Sequence, residues 1–334
     1  MKTTGIAPAK HVAAAPKTDD TRWLTLEPVR ELTLEKGSSP GRQPHVSSAS
    51  GLVKLGSALW VAADDENGLA VFHGQKKGQL VTLLPGTLPL DTTARRAAKP
   101  DFESLTALPP FQGAPHGGLF AVGSGSAPKR AQAVFLPLNA DGSPGKPTAL
   151  DFSALQGAMG KSVEQLNLEG AVVVGERLTL LHRGGEKGDN ALFDLDLKGL
   201  TQAIAEGRAP DASLLEGVRK LELGKLGGVP LGLSDASPLP DGSVVFVASA
   251  EDTQDAYVDG AVTGSVVGIL KPDGTVGPTF PVKDLKLEGV HAEVKGSDVH
   301  LLLVADADDP KRASPLLQAV LPGLAPKPSQ VKEA

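Results

Sequence analysis

The 334-residue chain contains no cysteine. That excludes disulfides, thiolate zinc sites and cysteine nucleophiles, and it leaves the redox compartment open, because the fold depends on neither state. No apolar stretch reaches the ~20 residues that cross a bilayer as a helix. Nor is there a dense run of Lys and Arg, and the formal net charge is -6. A nucleic-acid binder needs a concentrated basic face, so no nucleic-acid polymer is expected as partner. The seven histidines show no H-x-x-x-H or comparable ligand spacing. Residues 1–20 lack an apolar h-region, so no signal peptide is recognisable there. They read as a segment without order, and residues 322–334 as a polar tail. The expected molecule is soluble and not membrane-bound, with compartment and oligomeric state left open.

What is abundant is turn chemistry, with 39 Gly and 27 Pro, as many short strands require. One unit recurs. It opens at Ala49-Ser50-Gly51-Leu52, Phe102-Glu103-Ser104-Leu105, Leu168-Glu169-Gly170-Ala171, Leu233-Ser234-Asp235-Ala236 and Leu287-Glu288-Gly289-Val290. Two apolar strands joined by a tight turn follow, then a polar loop, then a third strand. The third unit is the cleanest: Ala171 to Val174, turn Gly175-Glu176, Arg177 to Leu181, then Ala191 to Leu195. The openers Ser50, Glu103, Glu169, Ser234 and Glu288 stand 53, 66, 65 and 54 residues apart, somewhat above the ~40–50 of compact propeller repeats. Five such units predict an all-β chain forming a single five-bladed β-propeller over residues 21–321, with six blades the alternative. The segment Thr21 to Leu34 reads as an extra strand that pairs with the last unit and closes the ring. Helix is expected mainly over Leu197 to Glu206, with a turn near Phe152 to Met159.

In such a ring the openers converge on the axis. Glu103, Glu169 and Glu288 brought together without a cation repel strongly. A shared metal is therefore expected, held by these three with Ser50 and Ser234. Oxygen-only ligands favour a hard ion, Ca²⁺. The start of each inner strand and the end of the next lie at one end of a hairpin. The loops Asp64-Asp65-Glu66-Asn67, Ser124 through Arg130, Arg183 through Asp189, Glu251-Asp252 and Asp306 through Arg312 should therefore surround that mouth. Lys129, Arg130, Arg183, Lys187, Lys311 and Arg312 would hold an anionic or phosphorylated small molecule there. Asp64, Asp65, His182 and His291 are the candidates for proton transfer.

Over Ser50 to Phe72, and from Gly232-Leu233-Ser234 through Glu288-Gly289-Val290, the chain resembles the soluble calcium-activated nucleotidases, the animal apyrases. That resemblance implies a five-bladed propeller with an axial Ca²⁺ and hydrolysis of nucleoside di- and triphosphates. It also implies ligand roles for Glu103, Glu169, Ser234 and Glu288, whereas Ser50 stands where the family more often has an acid. Asp235 can substitute for Ser234. The chain is similar, too, to bacterial propellers described as phytase-like or esterase-like. Paraoxonase-type calcium propellers hydrolyse lactones and phosphotriesters but usually have six blades. The function expected is thus calcium-dependent hydrolysis of phosphorus esters or anhydrides. The alternatives are a lactonase or esterase, and a non-catalytic binding propeller with structural Ca²⁺. Asp306, Asp308 and Asp309 lack the Gly and terminal Glu of an EF-hand loop and read as a polar loop. Gly123-Ser124-Gly125-Ser126 is followed by Ala127 and no helix, so it is not a nucleophile elbow.

Overall fold

The computed structural model describes residues 10–11, 23–185, 189–252, 261–307 and 309–326. Lys187 and Asp308 lie outside these residues. The strands fall into five antiparallel sheets of four or five strands, each running outward from an inner strand. The inner strands are Ala49–Leu55, Phe102–Leu108, Leu168–Val174, Val229–Pro238 and Leu287–Lys295. Each packs against the next, and the fifth packs against the first, so the five sheets form a closed propeller.

Closure comes from the strand Glu27–Glu31, which pairs antiparallel with Pro315–Leu321 as the outermost strand of the fifth blade. The extra strand expected before the first unit is therefore present, and it removes an open edge. Blades one to four each carry a fourth strand not read from the sequence: Gln79–Thr82, Thr148–Asp151, Leu215–Leu221 and Val276–Lys283. The first two are short and mostly exposed, so they lack the apolar alternation that marks a strand. The residues Lys10–His11 add in parallel beside Arg219 and Lys220 at the edge of blade three.

The middle strands are apolar on both faces because each face meets a different neighbour. In blade four, Val244, Phe246, Ala248 and Ala250 pack toward blade three, while Val245 and Val247 pack toward blade five. Five separate apolar clusters result, one per wedge between blades. Three of the inner hairpins turn in two residues, with Gly56 (φ 58°), Gly175 (φ 60°) and Gly296 (φ 62°) first, a left-handed position suited to glycine. Asp196 caps the expected helix Leu197–Ala205 by accepting from the Lys198 amide. The helix Thr92–Ala98, between blades one and two, was not anticipated.

All five openers break their ladder in the same way. Pairing steps from Ala49 to Gly51, Phe102 to Ser104, Leu168 to Gly170, Leu233 to Asp235 and Leu287 to Gly289. Ser50, Glu103, Glu169, Ser234 and Glu288 are each the extra residue of a bulge. A bulge leaves that residue unpaired and re-aims its side chain. Inner strands crowd immediately beyond. A Cβ on Gly170 would lie 2.7 Å from the Ser234 carbonyl oxygen and 2.8 Å from Asp235 Cα. The open inner edges also need partners, which blade four supplies: Asp235 Oδ2 accepts from the Val290 amide at 3.0 Å and Ser237 Oγ from the Ala292 amide at 2.9 Å. Burial holds the Asp235 carboxyl well above its ordinary value, against the pull of the Val290 amide.

Gly170→Ala is expected to destabilise the propeller by about 1–3 kcal/mol, because backbone rather than a mobile side chain fills the space. Gly157→Ala, on the helix Ser153–Met159 with nothing within 4 Å, is expected to stabilise by about 0.5–1 kcal/mol. Urea unfolding of both variants checks the pair, and equal effects would contradict the crowding argument.

Candidate functional site at the propeller mouth

Four hairpins extend one hydrogen bond past their bulge. The Asp64 amide donates to Ser48 O at 3.2 Å, Ser124 to Asp101 O at 2.9 Å, Arg183 to Asn167 O at 3.0 Å and Asp306 to Lys286 O at 3.0 Å. Chain geometry thus gathers three groups at one mouth: the openers, the residues two before them and the residues just after the second strands. In blade four the matching positions, Gly232 and Ser249, are still in the ladder.

Arg183 organises the side of blades three to five. Its Nη2 donates to Ser234 Oγ at 2.9 Å and Glu288 Oε2 at 2.9 Å, and lies 3.3 Å from Glu169 Oε2. Its Nη1 lies 3.6 Å from Glu251 Oε2. Gly232 makes room for this side chain, since a Cβ there would fall 2.6 Å from Arg183 Cγ. Lys286 Nζ lies 3.2 Å from Glu288 Oε1 and 3.8 Å from both Glu251 and Asp306. Asn167 Nδ2 donates to Glu169 Oε1 at 2.6 Å.

A second group occupies the side of blades one and two. Lys99, the residue that ends the helix Thr92–Ala98, pairs with Asp64 and lies 2.7 Å from Asp101 Oδ1. Asp101 Oδ2 meets Arg130 Nη1 at 2.7 Å and accepts from Ser124 Oγ at 2.5 Å. Asp101 has φ 60°, a left-handed backbone uncommon for any residue but Gly. These partners over-determine it, as strained backbone at a working site requires. One oxygen each from Asp64, Asp101 and Glu103 lie within 4.8 Å of one another. Asp64 Oδ1 is buried with no hydrogen-bond partner.

Among the described residues the charges at the mouth do not cancel. Asp64, Asp101, Glu103, Glu169, Glu251, Glu288 and Asp306 face Lys99, Arg130, Arg183 and Lys286. The crowding raises the proton affinity of two carboxyls. Burial lifts Glu169 to about 8, with Glu288 adding to the rise and Arg183 opposing it. Burial also lifts Glu103 well above its ordinary value, and Asp64, Asp101 and Glu169 add to the effect. Burial is the largest influence on Glu288 and Asp64 too and works against their ionised forms, but the opposing pulls together, led by Arg183 and Lys286 at Glu288 and by Lys99 at Asp64, outweigh it, so both fall below the usual range. The repulsion that made a metal necessary on sequence grounds is thus partly met by the chain's own cations.

Of the expected ligands, Glu103, Glu169, Ser234 and Glu288 do reach the mouth, but they divide between the two groups. Ser50 is buried at its bulge, and its hydroxyl donates to Ser48 O at 3.3 Å. Asp64 joins the second group. Asp65 is engaged elsewhere, 2.5 Å from Arg42 Nη2 and accepting from Ser48 Oγ at 2.7 Å. Arg130 holds Asp101, while Lys129 is exposed. His182 is buried, its Nδ1 3.1 Å from both backbone N and O of Asn167 and its ring tilted against Phe193. Burial drops it to about 4, so it sits as a neutral imidazole beneath Asn167. His291, expected to line the tunnel, instead borders a separate 550 Å³ cavity with Lys54, Glu293, His300 and Gln318. It lies three residues past its opener on a strand running away from the mouth, about 10 Å on.

The residues missed from the sequence are Asn167, Lys99, Asp101 and Lys286. Three of them had a signal. Each unit reads polar or Gly, apolar, opener: Ser48-Ala49-Ser50, Asp101-Phe102-Glu103, Asn167-Leu168-Glu169, Gly232-Leu233-Ser234 and Lys286-Leu287-Glu288. Lys99 had none, because its place depends on the unanticipated helix.

No curated protein matches the chain in sequence. Solved structures that it resembles include a putative exo-beta-1,3-galactanase from Bifidobacterium bifidum s17, at 11% identity and TM-score 0.49, covering 92% of this chain and 99% of that one. Another is the alpha-L-arabinofuranosidase PaAbf62A from Podospora anserina in complex with cellotriose, at 11% identity and TM-score 0.48, covering 90% and 98%. A third is a hypothetical protein from Leishmania major, at 12% identity and TM-score 0.47, covering 89% and 91%. From residue 45, ahead of the first bulge, to residue 321, the end of the strand Pro315–Leu321, the sequence matches one family along its length. The chain belongs to that family, described as "Family of unknown function (DUF6929)".

Proposed function

We propose that the mouth is a divalent-cation-dependent hydrolytic centre for phosphorus esters or anhydrides. The observation that carries this reading is the approach of Asp64, Asp101 and Glu103 oxygens to within 4.8 Å of one another, beside Glu169, a carboxyl that keeps its proton up to about pH 8. The donors are all oxygen, and one, Asp64 Oδ1, is buried without a partner. That donor set fits a hard ion such as Ca²⁺. When bound, such an ion polarises a phosphoryl oxygen and lowers the pKa of a water. Protonated Glu169 is suited to donate to a leaving oxygen as general acid. Arg130 and Arg183 fix the flanking carboxylates and present cationic edges to an anionic substrate. Nucleotides and phosphotriesters are the substrate classes to try first, with lactones next.

A second reading is favoured by one observation. Arg183 reaches Glu169, Glu288 and Ser234 together, which equally suits a scaffold whose axis is locked by ion pairs and which only binds a ligand.

Turnover of a panel of phosphate mono-, di- and triesters, nucleotides and lactones should vanish in EDTA and return with Ca²⁺. Glu103→Gln should lower it by about 10²-fold or more while the protein stays folded. No turnover of any substrate, with Ca²⁺ raising the melting temperature alone, would select the scaffold.

The acid role of Glu169 has its own signature. The protonated form is the active one; in the ion-free mouth it is lost as pH rises through about 8, and a bound cation moves that point to lower pH. Rate should fall above that pH, and Glu169→Gln should both cut kcat by about 10²–10⁴-fold and abolish that limb of the profile. An unchanged limb in the variant would assign it to another group.

A further inference from the structure

We infer that Lys99 is a tethered counter-cation, and that a divalent cation enters the Asp64–Asp101–Glu103 cluster by displacing its ammonium. The inference rests on the cation-dependent reading above and concerns how that site is filled.

Lys99 is 91% buried, since only 9% of it is exposed, an unusual state for a lysine unless it is paired. Its ammonium bridges Asp64 and Asp101, two of the three residues whose oxygens converge. The chain places it there deliberately: the Lys99 amide closes the helix on Arg95 O at 2.8 Å, Pro100 follows, and Asp101 turns with φ 60°. Lys99 and Arg130 set two positive charges against three carboxyls, and Asp64 Oδ1 remains buried without a partner. A dication supplies one more charge than the ammonium and can accept several oxygens at once.

The arrangement also allows the exchange. Asp101 keeps Arg130 and Ser124 when Lys99 leaves, so the acceptor stays in place. The lysine stem has four flexible carbons. The helix that carries it is exposed apart from Arg95, which donates from Nη1 to Asp65 O at 3.1 Å. Arg96 O of that helix accepts from Arg130 Nη2 at 3.1 Å, so the helix stays in place while the ammonium swings out on its stem.

Calorimetric titration of the full chain with CaCl₂ tests this. Lys99→Met should bind about tenfold or more tightly than the parent, while Lys99→Arg, which keeps the charge, should not gain. Equal or weaker binding by Lys99→Met would overturn the inference while leaving the cation site standing. If neither protein binds Ca²⁺, the site itself falls. Should Lys99→Met fail to fold, the parent protein still decides. Acetylation of Lys99 by an N-hydroxysuccinimide ester, read by mass spectrometry, should rise several-fold at saturating Ca²⁺, and an unchanged or lower yield with Ca²⁺ bound would sink the idea.

Discussion

Everything at the mouth depends on one extra residue per inner strand. A regular strand would send Glu103, Glu169 and Glu288 into a wedge between blades, where an unpaired carboxylate costs several kcal/mol. The bulge lifts the opener out of the ladder and aims it toward the axis. The residue after it must then fit where neighbouring inner strands crowd, which explains Gly51, Gly170 and Gly289 in three of the five units. Where the residue is larger, as with Asp235, it is put to use: its carboxyl reaches the backbone of blade five and satisfies an inner edge that no strand covers.

Once the openers converge, charge becomes the governing problem. The chain answers it with three devices of different strength. Arg183 and Lys286 make direct pairs with Glu288, the carboxyl they hold ionised. Lys99 does the same for Asp64. What remains uncompensated is absorbed by protonation, at Glu103 and Glu169. These last two are therefore the groups most sensitive to anything positive that enters the mouth. A bound cation and a proton compete for the same surplus of negative charge, so cation affinity and proton affinity are coupled here by necessity.

The propeller was legible in the sequence because its repeat is carried by local chemistry. Apolar runs such as Val244 to Ala248, two-residue turns beginning with Gly, and a polar opener in constant phase each have a direct structural cause. The bulges were legible only indirectly, as a Glu standing where an apolar residue was due. The outer strands were not, since Gln79–Thr82 is short and offers only Leu80 and Val81, one to each neighbouring wedge, too few to show an alternation. The site was half legible for a related reason. Openers share a phase, so periodicity finds them, whereas pairing partners need only be near in space. Arg183 was read as a substrate contact because its position after a strand was visible, but its four side-chain partners lie 14, 51, 68 and 105 residues away and no periodicity links them.

The five-fold repeat is thus broken by function-bearing residues, and the break has a direction. Blades three to five contribute Arg183 and Lys286 from positions within the repeat, each just outside a strand end and tied by one further backbone hydrogen bond across its hairpin. Blades one and two rely on Lys99, which comes from a connecting helix outside the repeat. Lys99 can swing out on its stem while Asp101 keeps Arg130 and Ser124. Of the two halves, only the one formed by Asp64, Asp101 and Glu103 can therefore change its occupant at low cost, and Glu103 transmits that change across the axis, because its carboxyl and that of Glu169 already feel one another. The rigid half fixes the geometry, and the adaptable half is where an incoming ion or substrate can be exchanged for part of the protein itself.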